Sequence, residues 1–328
     1  MSNGKRSSSK KEKITVAGLF QHTEFSLGII IVALFIIASV ATNNFFSAYN
    51  LTNLLKQCAI IGVLACAQTM IIITGGIDIS GGAITGLACM VMAMLQRDTS
   101  TPFVITLIVA LAIGLLCGFI NGVIVYDLKV TPMIATLGTS TIIRGIVLII
   151  SNALTVSGLN KHLLNLANIS IGGFLPALAL IWLIVAIVIY LVLRYTIFGR
   201  SLYIMGSGIQ VAKLSGIKVR QLSYKVYAFA GLLYGVAGIM LAARVQSALP
   251  TGGEGYDMNA IAAVVIGGAS LAGGRGEISG TILGTILMTL INNAGVQFGL
   301  NTHVLDITSG VLIIFAVALD MIKNRKKA

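Results

Sequence analysis

Five charged side chains stand within or at the edges of long apolar sequence: Asp78, Arg144, Glu254, Asp257 and Glu277. An ionised group held in hydrocarbon is expensive, so each must cap a helix, meet a partner or line a pathway. Asp78 follows Thr-Gly-Gly-Ile and precedes Ile79, Ser80 and Gly81, and Glu277 follows a Gly-Gly-Arg-Gly turn. Either carboxylate can accept from the free N–H groups that open the next helix. Either can instead serve a gate or pathway, together with Ser80. Arg144 lies deeper, in TLGTSTIIRGIVLII. It is expected to meet a buried carbonyl or carboxylate, or to act in the gate, with Thr136 and Thr139 as further pathway candidates. Glu254 and Asp257, in PTGGEGYDMNAIAAVV, are candidates for the outer face, and Asp257 is placed to cap the apolar run after it.

Enzyme chemistry finds no support. No G-x-x-x-x-G-K-[ST] loop is present to hold ATP, and no HExxH, GxSxG or carboxylate pair appears. Cys58, Cys66, Cys89 and Cys117 lie in apolar runs as small hydrophobes, and His22, His162 and His303 are scattered. No resident metal, cofactor or catalytic residue is expected. The net charge of +12 is concentrated in three places. These are the N-terminus (Lys5, Arg6, Lys10, Lys11, Lys13), residues 194–225, and the C-terminus (Lys323, Arg325, Lys326, Lys327). A topological signal explains all three, so nucleic acid is not expected as a partner.

The elements that must position these residues are membrane helices. The chain is 57% hydrophobic and 10% charged, with mean hydropathy +0.98, whereas a soluble domain carries about 25% charged residues. Runs such as ALIWLIVAIVIYLVL show no alternation, which excludes a β-barrel reading. The fold class is an all-α integral membrane protein. About ten segments are expected, near 25–42, 52–74, 79–95, 102–126, 131–152, 172–194, 226–244, 258–273, 279–300 and 307–322, some of them short or broken. Both termini and the basic 194–225 loop then face the cytoplasm. Residues 1–20 read as a disordered basic tail, 21–322 as the transmembrane domain and 323–328 as a second basic tail. No cleavable leader is expected, because the first apolar run is long enough to span. Two stretches, MIIITGGIDISGGAITG and VVIGGASLAGGRGEISGTILGT, share a pattern of apolar run, Gly-Gly, acid and Ile-Ser-Gly; this is either an internal repeat or chance similarity. Glycines spaced by about four, at Gly114, Gly118 and Gly122 and at Gly231, Gly235 and Gly238, predict close helix packing.

Four stretches carry a resemblance: TGGIDISGGAITG, NGVIVYDLKVTPMIATLGTSTIIRG, TIFGRSLYIMGSGIQVAKLSGIKV and SALPTGGEGYDMNAIAAVVIGGASLAGGRGEISGTILG. In this order the chain resembles the permeases of bacterial ABC importers for ribose, xylose, arabinose and galactose. The resemblance implies a multi-pass inner-membrane protein that translocates a monosaccharide. It implies a second permease subunit, a cytoplasmic ATPase (tandem or paired) that uses ATP and Mg, and an extracytoplasmic sugar-binding protein. The loop motif would be the helix that couples to the ATPase, through Gly206, Ile209, Ala212, Lys213, Leu214, Ser215 and Gly216. Here it departs from the usual pattern, with Ile209 and Gln210 where acids are common and Lys213 in place of Arg. A furanosyl signalling compound or an inositol is the alternative cargo. An ion-coupled carrier is the rival mechanism, and it would place carboxylates in mid-span.

Overall fold

A computed structural model describes residues 23–325 except 43, 100 and 174. The expected tail over 1–20 and residues 326–328 lie outside the described residues, and residues 323–325 end the last helix. The helices are α1 (Thr23–Ala41), α2 (Ala48–Ile73), α3 (Gly81–Asp98), α4 (Phe103–Tyr126), α5 (Pro132–Ser151), α6 (Lys161–Asn168), α7 (Ala177–Tyr195), α8 (Ile197–Ser207), α9 (Ile209–Leu214), α10 (Val219–Val245), α11 (Tyr256–Ile266), α12 (Ile278–Gln297) and α13 (Thr302–Arg325). Seven of them (α1, α2, α4, α5, α7, α10 and α12) are long and apolar enough to cross a bilayer. The helical membrane class holds, with one departure from all-α: β1 (Ser170–Ile171) and β2 (Leu175–Pro176) pair as a small antiparallel hairpin.

Every expected segment meets a helix, but several boundaries move: those expected from 226 and 307 begin earlier, at Val219 and Thr302, and two others shift for readable local reasons. The segment expected from 172 begins at Ala177, after Pro176, which starts the helix from an extended backbone. The segment expected over 258–273 stops at Ile266, because Gly267 and Gly268 follow and Gly268 adopts φ +96°. At 11 residues, α11 is only about 16 Å long, roughly half the hydrocarbon layer.

The core is built around α2, whose apolar window is 89% buried against 11% for α1 at the periphery. α10 packs on α2, α3 and α4. The predicted glycine faces make that packing possible. A Cβ on Gly118 would lie 2.9 Å from Gly231 Cα, and one on Gly231 would enter the Gly114 carbonyl. The two backbones touch, which is how helices associate where no hydrophobic drive separates them from lipid.

The chain's turns gather at two ends of the bundle. At one, Gln96 bonds both Thr106 Oγ1 (3.0 Å) and the Asn160 amide (2.9 Å), and Val156 bridges Ala248. At the other, Gly274 N donates to Ile73 O at 2.8 Å, Arg220 meets Asp127 at 3.0 Å, and Ser279 donates to Glu24. The Asp127 carboxyl is held below the ordinary carboxylate range, chiefly by the Tyr224 hydroxyl and then by the Arg220 guanidinium.

Candidate functional site

After α2 the chain breaks at Thr74 and Gly75, with φ +81° at the glycine, and turns back along the helix it has just left. The side-chain amide of Gln68 donates to the Asp78 carbonyl, which sets Asp78 alongside α2 rather than beyond its end. It lies between α2 and α3 without standing clear of the bundle. Asp78 is fully buried. Nor does it cap α3 directly, since the N-cap position belongs to Ser80. Asp78 Oδ1 instead accepts from the Ser80 amide at 2.8 Å and the Ser80 hydroxyl at 2.6 Å, a local turn that fixes the residue at the helix start. Asn121 on α4 donates to Ser80 Oγ at 2.8 Å, and Thr136 on α5 accepts from Ile79 N at 3.0 Å. Four elements therefore hold one broken turn.

The network is only partly made. Asp78 Oδ2, Gln68 Oε1, Asn121 Oδ1 and the hydroxyls of Tyr227 and Tyr234 are buried without a hydrogen-bond partner among the described residues. Tyr234 is within electrostatic reach of Asp78 but makes no geometric hydrogen bond to it. Each unmade buried bond costs about 1–3 kcal/mol. Asp257, expected on the outer face as a helix cap, lies in the first turn of α11 after the cap residue Gly255 and is only 7% exposed. A Cβ on Gly82 would meet its Oδ1 at 2.8 Å. Arg144, half-buried on α5, lies within electrostatic reach of Asp257 without an ion pair to it among the described residues. Glu254 stays in an exposed turn. Thr139, also buried, bonds only its own helix at Ala135 O, 3.0 Å away.

A second break, residues 267–277, faces the first. Besides the Gly274–Ile73 bond, Thr69 and Thr281 hydroxyls meet at 2.7 Å, so α2 and α12 are joined just beside both turns. Glu277 occupies the N-cap position of α12, but its side chain makes no capping bond and is exposed. The two Ile-Ser-Gly stretches thus both begin a helix after a glycine-rich break. They differ in their acids, one buried and one open.

The basic loop closes this arrangement. It holds two helices, α8 and α9, separated at Gly208. Gly206, near the end of α8, presses on both breaks: a Cβ there would enter the Ile73 carbonyl and the Gly274 amide. Tyr203 Oη donates to Gly276 O at 2.8 Å. Beyond it, α9 turns apolar side chains outward, with Ile209 53%, Val211 51% and Leu214 90% exposed. Ala212 is the residue that α9 buries, while Lys213, Ser215 and Gly216 are exposed. The coupling candidates therefore split. Gly206 and Ala212 face the bundle, and Ile209 and Leu214 face away.

Gln68, Asn121, Tyr227 and Tyr234 were not singled out in the sequence. The two amides leave a readable signal, lone polar side chains in LACAQTMIII and LLCGFINGVIV, where burial without a partner is costly. The tyrosines give none. Asp78→Asn keeps the acceptor for Ser80 and is expected to hold transport within a few-fold of wild type. Asp78→Leu strands the Ser80 donors at a cost of about 1–3 kcal/mol each and is expected to assemble poorly. Uptake in membranes with matched protein levels checks both. Complete loss of uptake in a well-assembled Asp78→Asn protein means that the ionised carboxylate itself is needed.

The site thus lies in a bundle with seven helices able to cross a bilayer, where two glycine-broken turns meet at a short, outward-facing loop helix. The chain belongs to the family described as branched-chain amino acid transport system / permease component, whose model matches residues 50–317. It is 37% identical over 317 residues to the ribose import permease protein RbsC of Bacillus subtilis, covering 96% of this chain and 97% of that one. It is 34% identical over 300 residues to the fructose import permease protein FrcC of Rhizobium meliloti (89% and 83% covered). It is 33% identical over 319 residues to the galactose/methyl galactoside import permease protein MglC of Escherichia coli (92% and 95%). No solved structure matches the chain. The resemblance read from the motifs holds at the level of the family, and the protein is a multi-pass permease of the inner membrane.

Proposed function

We propose that the chain is the translocating subunit of an ABC importer for a monosaccharide, ribose or a similar pentose or hexose, worked by ATP-driven alternating access. The observation that carries this reading is the position of α8 and α9. One end of the pair touches both broken turns, and the other offers Ile209, Val211 and Leu214 to a partner. In this reading a cytoplasmic ATPase, tandem or paired, seats α9 and consumes ATP with Mg. Its closure moves Gly206 against the turns at Ile73 and Gly274, and α3 and α12 tilt. A second permease subunit completes the pathway, and an extracytoplasmic binding protein delivers the sugar. The relatives' names, for ribose, fructose and galactose, support a sugar cargo. A furanosyl compound or an inositol is the runner-up.

The topology proposed with it has ten crossings and both termini in the cytoplasm. Its supports are the grouping of Glu24, Ile73, Asp127, Gly206, Gly274 and Asp320 at one end of the bundle and of Gln96, Asn160 and Ala248 at the other. The basic loop at the first end supports reading that end as the inner one.

One observation favours an ion-coupled carrier instead: Asp78 is a buried carboxylate inside the bundle. Reconstitution separates the two. Sugar uptake is expected to require ATP on the side bearing residues 194–225, and to persist when a protonophore collapses the proton gradient. Gradient-driven accumulation by the chain without an ATPase overturns the importer reading.

A further inference from the structure

At the end of the bundle that carries the basic loop, α1, α7, α8 and the 267–278 turn line an open cleft of about 980 Å³, with its charged side chains exposed. Its charged lining is Arg194, Arg200 and Arg275 with Glu24 and Glu277. The cations outnumber the anions by one. Glu24 is engaged by Ser279, and Arg200 reaches only the Tyr195 carbonyl, at 3.4 Å. Among the described residues the side chains of Arg194 and Arg275 form no hydrogen bond or ion pair. The N-terminus of the 20-residue α12 opens into the same space, and Glu277 leaves its first N–H groups uncapped. That end carries partial positive charge.

The walls say what kind of anion belongs there. α1 and α7 are peripheral helices whose outer faces are apolar and exposed: Ile29 and Ile30 on one, Ile187 and Leu191 on the other. Tyr190 lines the cleft and is 46% exposed, one turn before Arg194. An amphipathic ring beside a guanidinium is the pattern of a membrane–water interface. A ligand entering between α1 and α7 would have apolar tails against those faces and its head among the arginines. Planar guanidiniums suit phosphate oxygens, and basic pockets between membrane helices take anionic headgroups.

We propose that this cleft holds the headgroup of an anionic phospholipid carrying a single phosphodiester charge, such as phosphatidylglycerol. The lipid pins α1 to α7 and sits beside the turn that Gly206 touches. This depends on the chain being a membrane protein, not on its cargo or energy source.

The test is lipid retention by the purified full chain, read by native mass spectrometry after exposure to vesicles of equal phosphatidylglycerol and phosphatidylethanolamine. Wild type is expected to keep phosphatidylglycerol in preference, and Arg194→Gln/Arg275→Gln to lose that preference by about tenfold. Arg194→Lys/Arg275→Lys, which keeps the charge, is expected to retain much of it, and Glu277→Gln to increase it. Equal retention of both lipids by wild type overturns the proposal. So does release of the lipid by millimolar inorganic phosphate, which would make the site one for a free anion. If the glutamine variant loses affinity for the cognate ATPase while its lipid retention is unchanged, the arginines belong to a protein interface and the proposal fails.

Discussion

Gly206→Val will leave a protein that inserts into the membrane and does not transport. The new Cβ would enter the Ile73 carbonyl and the Gly274 amide, and both are backbone, so neither can rotate away. Forced overpacking of this kind costs about 1–3 kcal/mol, occasionally more. If the strain falls on the moving state, about 3 kcal/mol is roughly a hundredfold in rate. Uptake in cells, normalised to membrane protein, reads the effect. Ser207→Ala is the control: Ser207 is exposed and bonds only the Tyr203 carbonyl of its own helix, at 2.9 Å, and its removal is expected to leave transport near wild type. Normal uptake by Gly206→Val would mean that α8 does not bear on the turns during the cycle.

Leu214→Asp will uncouple the permease from its ATPase. Leu214 is 90% exposed, an unusual position for a large aliphatic side chain, on a six-residue helix too short to be stable alone. Seating it in a partner's groove would contribute about 1.5–3 kcal/mol, and an unpaired aspartate in its place would cost several more. The variant chain should fold normally, because Leu214 packs on little within it. Stimulation of ATPase activity by the sugar-loaded binding protein should be lost in the reconstituted complex. Ala212→Ser, at the buried side of the same helix, should instead lower the stability of the loop. A Leu214→Asp complex that assembles and hydrolyses ATP as wild type does removes α9 from the interface.

The sequence made the helices and their interruptions legible, because apolar runs and glycine pairs are local signals. It placed Asp78 and Glu277 alike, since both precede Ile-Ser-Gly. The fold separates them: one turn doubles back along α2 and buries its acid, and the other stays open. Only contact with Gln68, Asn121 and Thr136, distant in sequence, makes that difference. Asp257 was misplaced for a related reason. Its segment has the composition of a connection, yet Gly252 and Gly253 let it pack against Gly86 and Gly82 and carry the acid into the bundle. The division of the loop helix into inward Ala212 and outward Leu214 needed a neighbour to define inward.

The bond from Gly274 N to Ile73 O has a consequence for timing. It joins the break before α3 to the break before α12, the two places where the proposed cycle would turn, and Gly206 rests on both partners of the bond. A state in which one pivot has moved and the other has not must break it and strand two peptide groups, at about 1–3 kcal/mol each. Half-shifted states would therefore be sparsely populated in that cycle. In the proposed cycle the two helices would start together, in phase, and each stroke on the loop would produce one indivisible step.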